Sequence, residues 1–247
     1  MPRILLLGGT GEAASLAIAL AERPGIALIT SLAGRTRRPR PLPGRTRIGG
    51  FGGAEGLRCF LEAEAIDLLI DATHPFAREI GKNAALAADR LRLPRLRLCR
   101  PPWPKRPDDR WLEVEDTAAA AAALPGLARR VFLTSGQDGL EAFADRPEIW
   151  FLVRTVEPPP ALDRLTNARW LEARGPFRTE DEIALLRRER IEALVTKASG
   201  GGATYGKIEA ARRLQLPVVM IRRPPLPEGP VADSVSQALA WIDAFQA

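Results

Sequence analysis

The feature that most constrains this chain is a regular alternation of short apolar segments with longer helix-like segments. It begins with the strand-like Arg3–Leu7 and the helix-like Gly11–Glu22, and it ends with an amphipathic segment over Ser234–Phe245. Alternation of this kind is typical of parallel α/β sheets, in which a crossover helix follows each strand. We therefore predict an α/β protein built on parallel sheets.

A proline-rich stretch interrupts the alternation. Four prolines fall within the seven residues Pro101–Pro107, a density that excludes a helix or a central strand there. A second strand–helix run begins at Arg130 and opens, like the first, with an apolar strand that ends at a glycine turn. The 247 residues suit two small domains. We predict two Rossmann-like parallel-sheet domains, 1–128 for cofactor binding and 129–247 for substrate binding, with an interdomain cleft.

The charge of the chain favours an anionic partner. The formal net charge is +6, and arginines concentrate in two stretches without acidic residues, 23–54 and 90–107. Proteins that bind single-stranded nucleic acid usually interleave aromatic residues with such arginines. Here each stretch offers one aromatic residue, Phe51 and Trp103 respectively. A phosphorylated cofactor or a polycarboxylate is therefore favoured, and no nucleic acid is expected as a partner.

Other classes of protein are disfavoured by what the chain lacks. No apolar run reaches the ~18 residues that a membrane-spanning helix needs, and the apolar run Ile4–Leu7 is too short for a signal peptide. We expect a cytoplasmic protein with no membrane partner, either a monomer or a small homo-oligomer. Cys59 and Cys99 lack CxxC spacing, and the chain has a single histidine. We therefore predict reduced cysteines and no structural metal site.

The first strand runs into a glycine turn that fits dinucleotide binding. Gly9, Gly11 and Ala14 match the G-x-G-x-x-G/A pattern, with a strand before it and a helix after it. Glycines allow backbone amides to approach a pyrophosphate at the positive end of the helix. The cofactor-binding candidates in this turn are Gly8, Gly9, Thr10, Gly11 and Glu12.

The end of the second predicted strand indicates which nicotinamide cofactor is used. NAD-preferring sites usually carry Asp or Glu there, for the ribose hydroxyls. This chain has no acid nearby, and the guanidinium of Arg35 could bind a 2′-phosphate through two parallel hydrogen bonds. We therefore predict NADPH rather than NADH. The candidates in this segment are Ser31, Gly34, Arg35 and Thr36.

The third strand of the first half ends at the chain's one histidine. His74 follows Asp71 and Thr73 at a position where cofactor and substrate are expected to meet. Thr73 and His74 are predicted to contact the cofactor, and His74 is also a candidate for substrate positioning or proton supply. Asp71 could instead be buried against loop amides.

The second half carries a glycine-rich loop after the strand Ala193–Lys197. Three consecutive glycines expose backbone donors to an anion. The P-loop spacing is absent, as is the Tyr–Lys pair of short-chain dehydrogenases. The substrate-binding candidates are Lys197, Ser199, Gly200, Gly201 and Lys207. The catalytic candidates for proton donation are His74, Lys197, Tyr205 and Lys207, and solvent is a further possibility.

Taken together, these segments resemble the precorrin-6A reductases of cobalamin biosynthesis, including their cobalt-precorrin relatives. The matching segments are 7–13, 31–36, 71–77, 175–177, 195–201 and 207–211. One departure is Ala198, where we expect Asn in many relatives.

The resemblance implies NADPH-dependent reduction of precorrin-6A, or its cobalt form, to precorrin-6B. A hydride would reach one carbon of a ring double bond and a proton its neighbour. A basic protein suits this tetrapyrrole substrate, which carries many carboxylates. The alternatives are another NADPH-dependent reductase of an anionic small molecule and, less favoured, a basic nucleic-acid-binding protein. A methyltransferase would need an acid after the second strand, and none is there.

Overall fold

The computed structural model describes residues 1–34 and 41–246 and contains twelve strands and seven α-helices in that part of the chain. The strands are β1 (Arg3–Leu7), β2 (Ala27–Leu32), β3 (Arg45–Ile48), β4 (Leu68–Asp71), β5 (Arg95–Leu98), β6 (Trp111–Val114), β7 (Arg130–Thr134), β8 (Trp150–Thr155), β9 (Ala168–Glu172), β10 (Ala193–Lys197), β11 (Val218–Ile221) and β12 (Val231–Ala232). The helices are α1 (Gly11–Ala21), α2 (Gly53–Ala63), α3 (Arg78–Leu91), α4 (Thr117–Ala122), α5 (Thr179–Arg188), α6 (Gly206–Arg213) and α7 (Val235–Gln246).

The chain forms two compact units, each built on a six-stranded parallel sheet. The first unit comprises Met1–Pro101 with Pro224–Ala247, and the second comprises Pro102–Arg223. The strand order is β3-β2-β1-β4-β5-β12 in the first sheet and β9-β8-β7-β10-β11-β6 in the second. The first order is that of dinucleotide-binding sheets. The predicted fold class of two Rossmann-like parallel-sheet domains is therefore confirmed.

The boundary between the units differs from the predicted one near residue 128. In each sheet, one edge strand comes from outside the stretch of chain that supplies the other five strands. β6, which precedes the second unit's other strands, pairs with β11, and β12 returns to pair with β5. Helix α7 packs against α1 in the first unit, so the final helix does not belong with residues 129–223. Parallel pairing of edge strands distant in sequence leaves no local signal, which is why the boundary was misplaced.

Both faces of the first sheet are covered, as strands buried on two sides require. Leu16 and Leu20 of α1 and Ile242 of α7 pack on one face, while Leu57 of α2 and Ala84 of α3 pack on the other. No helix among the described residues is both long and apolar enough to cross a membrane.

Some local predictions were wrong. The Gly, Pro and Arg content of residues 33–53 predicts a long loop, but strand β3 lies inside it. The strand was missed because its largely exposed sequence Arg-Thr-Arg-Ile gives no apolar pattern.

Thr117 stands before a run of alanines, so the sequence predicts it as the cap of α4. Asp116 caps this helix instead, by accepting a hydrogen bond from the Ala119 amide at 2.8 Å. The spacing of Thr179 and Glu182 predicts a capping box at the start of α5, but it does not form, because Glu182 turns inward to a buried arginine.

Candidate functional site

The glycine turn between β1 and α1 lies at the point where the first sheet's strand order reverses. β1 pairs with β2 on one side and with β4 on the other. Thr10 caps α1, since its hydroxyl oxygen accepts a hydrogen bond from the Ala13 amide at 3.1 Å. The same hydroxyl donates to the Ala72 carbonyl at 2.8 Å, which ties the turn to the segment after β4. Ligands of open parallel sheets bind at this kind of crevice.

The turn is shaped to admit a phosphate. Gly9 has a φ of 117°, a conformation that disfavours any residue with a side chain. Apart from the adjoining residues and the backbone of α1 itself, no atom of the described residues lies within 4 Å of the position that a Cβ would take at Gly9 or at Gly11. That open space lies at the N-terminus of α1, where amide groups and the helix dipole favour an anion. The residues present therefore fit a dinucleotide pyrophosphate.

Glu12, also predicted to contact the cofactor, is neutralised from within the same unit. Its carboxylate accepts a hydrogen bond from Nη1 of Arg100 at 2.7 Å, and both side chains are largely shielded. An unpaired carboxylate in the first turn of α1 would repel a phosphate at the glycine turn. The Arg100 pair reduces that repulsion.

The segment after β4 is held by a buried ion pair. Asp71 accepts hydrogen bonds from the backbone amide of Thr73 at 3.1 Å and from its hydroxyl at 2.7 Å. Arg97 of β5 forms an ion pair with Asp71 and donates to the Thr73 hydroxyl at 2.9 Å. Asp71 and Arg97 are 1% and 3% exposed, so the two opposite charges are paired inside the protein, while Oδ2 of Asp71 and Nε of Arg97 make no hydrogen bond with the described residues. Asp71 is thus a structural residue that fixes the position of Thr73 and His74.

His74 lies on the same segment, and its hydrogen bonds indicate which ring nitrogen carries the proton when the ring is neutral. Nδ1 accepts a hydrogen bond from the Phe76 amide at 3.2 Å, and the His74 carbonyl accepts one from Arg97 at 3.3 Å. An accepting Nδ1 places the proton of the neutral ring on Nε2. The structure therefore brings His74, Thr73 and the glycine turn to one edge of the first sheet, as predicted.

The carboxyl end of β2 carries Ser31 and, beside it, an arginine of β3. The Ser31 carbonyl accepts a hydrogen bond from the Gly8 amide at 2.8 Å. Its hydroxyl accepts one from Nη1 of Arg47 at 3.2 Å. Gly34 follows with a φ of 77°. Arg35 and Thr36, the other two candidates of this segment, lie outside the described residues.

In the second unit, the ends of β7 and β10 lie side by side at the point where that sheet reverses its order. Lys197 ends β10, and its Nζ lies 3.9 Å from the position that a Cβ would take at Gly136, just after β7. The Ser135 hydroxyl next to it is buried and has no hydrogen-bond partner among the described residues. A lysine and a buried hydroxyl thus lie at the ends of neighbouring strands, where a ligand of this sheet would bind.

The loop after Lys197 is fastened by two side chains that no sequence motif singled out. Arg223 donates to the carbonyls of Ala198 and Ser199, at 2.6 and 2.9 Å. The Trp103 indole donates to the Gly201 carbonyl at 2.8 Å. Gly200 and Gly201 have φ values of 67° and 75°, so the loop needs glycine at both positions. Because these carbonyls are already hydrogen-bonded, the loop can direct its remaining backbone N–H groups to an anion.

Lys207, predicted to bind substrate, lies in the interior of the second unit. It is 4% exposed, and its Nζ lies 5.7 Å from the centroid of the Trp103 ring. Burial, reinforced by the Arg154 guanidinium and opposed by Glu182, lowers the pKa of Lys207 to about 7. Arg154 and Glu182 form a bidentate pair at 2.5 and 2.8 Å. The low pKa suits proton exchange near neutral pH, whereas the burial does not suit a direct contact with a substrate carboxylate.

Tyr205 belongs to a neighbouring polar network. Its hydroxyl accepts a hydrogen bond from Nη1 of Arg212 at 3.3 Å, and Nε of Arg212 donates to Asp109 at 2.9 Å. Its ring lies 6.2 Å from that of Trp103. Within the described part of the chain, no three His, Cys, Asp or Glu side chains are grouped as metal ligands would be.

Comparison with known proteins decides the family. The family model described as "Precorrin-6x reductase CbiJ/CobK" matches residues 3–243 of the chain. The chain belongs to the precorrin-6x reductase family. It is 52% identical to a precorrin-6A reductase of Rhodococcus erythropolis and 47% identical to one of Mycobacterium tuberculosis, in both cases over 98% of each protein.

A solved structure agrees with this family membership. The structure titled "CobK precorrin-6A reductase" is 42% identical in sequence and superposes with a TM-score of 0.94, covering 100% of this chain and 98% of that one. The resemblance inferred from the motifs is thereby confirmed, and both sheets belong to the fold of the family.

Proposed function

We propose that this protein is an NADPH-dependent precorrin-6A reductase of cobalamin biosynthesis. The proposal rests on the sequence identity of 52% and 47%, over 98% of this chain, to proteins of that name. The geometry that supports it most directly is the glycine turn of the first unit, which leaves space for a phosphate at the N-terminus of α1. The cytoplasmic location expected from the sequence stays a prediction.

The first unit would hold the coenzyme. Amides of the turn 8–11 would bind the pyrophosphate, and Thr73 and His74 lie on the segment that Thr10 ties to this turn. The absence of an acid after β2 leaves room for a 2′-phosphate. When bound, NADPH supplies the hydride for a carbon–carbon double bond of the macrocycle.

The second unit would hold the macrocycle through its carboxylates. Lys197 offers a cation at the end of β10, and the glycines 200–202 offer backbone donors. Tyr205 and the buried Lys207 remain candidates for the proton that balances the hydride, together with His74 in the first unit. A proton on Nε2 gives His74 a donor in its neutral form.

Turnover of the purified protein tests this proposal. Precorrin-6A and its cobalt form would each be mixed with NADPH or with NADH, and the absorption spectrum and the oxidation of the coenzyme followed together. We expect one molecule of NADPH to be consumed for each macrocycle reduced, with NADH much less effective. A conversion that consumes no coenzyme would contradict the proposal. The same experiment distinguishes the metal-free from the cobalt-bearing substrate.

A further inference from the structure

The carboxyl end of β2 is where a Rossmann-type sheet meets the adenosine ribose of its coenzyme, and the residues there decide between NADH and NADPH. In this chain that position holds Ser31, which is 5% exposed. The parallel register pairs Ser31 directly with Arg47 of β3. A guanidinium therefore lies beside the position at which an NAD-preferring sheet carries a carboxylate.

Several contacts hold Arg47 in this place. Its Nη1 donates to the Ser31 hydroxyl at 3.2 Å and to the Gly49 carbonyl at 2.6 Å, and its Nη2 donates to the Gly50 carbonyl at 2.5 Å. The guanidinium also stacks on the Phe51 ring, 3.8 Å from its centroid. The side chain is thus oriented before any ligand arrives, which reduces the entropy lost on binding.

These contacts leave part of the guanidinium available to a ligand. Three of its five N–H donors are used by Ser31, Gly49 and Gly50. Nε–H and one N–H of Nη2 remain, and the described residues supply no carboxylate within ion-pairing distance of Arg47. A phosphate accepts paired hydrogen bonds from a guanidinium and matches its charge.

We propose that Arg47 binds the 2′-phosphate of NADPH and thereby sets the preference for the phosphorylated coenzyme. This inference rests on the proposed function, and it assigns the specificity to a residue that no sequence motif marks. It does not depend on the prediction that Arg35 binds a 2′-phosphate.

Arg45 offers a matched control on the same strand. It lies two residues earlier on β3, and its Nη1 pairs with Glu64 at 2.7 Å. The Arg45→Met substitution removes the same charge from β3 but at a position paired with Ile29, further from the carboxyl end of β2.

The experiment measures coenzyme dissociation constants by titration, without the macrocycle. NADPH and NADH would be titrated into the wild-type protein and into the Arg47→Met, Arg47→Lys and Arg45→Met variants. Charge-assisted hydrogen bonds of this kind correspond to about 10- to 100-fold in affinity. We expect Arg47→Met to weaken the binding of NADPH by that factor and the binding of NADH by less than about threefold. The NADPH affinity of Arg47→Lys should lie between those of Arg47→Met and wild type, and Arg45→Met should bind both coenzymes as wild type does.

Two results would overturn the inference. An equal loss of NADPH and NADH affinity in Arg47→Met and Arg47→Lys would mean that Arg47 only shapes the 49–51 segment. An unchanged ratio in both Arg47 variants would place the 2′-phosphate elsewhere. If the wild-type protein itself does not prefer NADPH, the coenzyme assignment of the proposed function fails as well, and the wild-type titration alone reveals this. Should Arg47→Met not fold, Arg47→Lys gives the decisive ratio.

Discussion

Lys207 provides the sharpest test of the electrostatics of the second unit. The residue is 4% exposed, and burial lowers the pKa of its ammonium group from 10.5 to about 7. Between these two values the unfolded chain binds one more proton than the folded chain, so the free energy of unfolding increases with pH. The low folded-state pKa therefore costs stability at acidic pH, and this cost disappears progressively above pH 7.

The size of this effect follows from the shift. Each pH unit inside the window contributes about 1.4 kcal/mol, so the wild-type protein gains roughly 2–3 kcal/mol from this residue between pH 6 and pH 9. The Lys207→Met variant lacks the titrating group but keeps a side chain of similar length. We expect its stability relative to wild type to fall by about that amount as the pH rises from 6 to 9.

Urea unfolding of both proteins at several pH values measures the difference. Lys82→Met is the matched control, because Lys82 lies exposed on α3, and its difference from wild type should not change with pH. A Lys207→Met difference that is constant from pH 6 to pH 9 would refute the reasoning. It would mean that the folded protein hydrates this ammonium group or pairs it more strongly with Glu182.

Three further variants test other parts of the account. Thr10→Val removes the cap of α1 and the hydrogen bond to Ala72. We expect urea unfolding to show a free energy of unfolding lower by about 1–2 kcal/mol, together with weaker NADPH binding. An unchanged dissociation constant for NADPH would mean that the turn does not contact the coenzyme. Arg97→Met leaves the Asp71 carboxylate buried without its partner and should cost about 3–5 kcal/mol; a loss below about 1 kcal/mol, as for a surface pair, would contradict the buried ion pair. Lys197→Ala should raise the KM for the macrocycle about tenfold, as expected for one lost charged contact, while NADPH titrates as in wild type; unchanged kinetics would remove Lys197 from the site.

The strands at the centre of both sheets could be predicted from the sequence because they are buried on both faces. Runs such as Ile4–Leu7 and Val131–Leu133 are continuously apolar and end at glycine or polar turns. The same physics explains what was missed. β3 is largely exposed, and the two residues of β12 are too few to form any pattern.

The turns of the candidate site could also be found from sequence, whereas the side chains that hold them could not. Glycine patterns mark the turn 8–11 and the loop 200–202 whatever surrounds them. Arg97, by contrast, reads as a member of the basic stretch 90–107, and no motif marks Arg223. The structure shows Arg97 buried against Asp71, and Arg223 bonded to loop carbonyls. Only the pairing of strands distant in sequence brings such partners together.

Transfer of hydrogen from the coenzyme to the macrocycle tests the central claim most directly. NADPH deuterated at C4 of the nicotinamide, in each stereochemical form, would be incubated with precorrin-6A and the protein in ordinary water, and the product examined by mass spectrometry. The account predicts that one of the two forms delivers a single deuterium to the macrocycle while the coenzyme is oxidised. A reduced macrocycle without deuterium from either form would contradict hydride transfer from a nicotinamide held by the first unit.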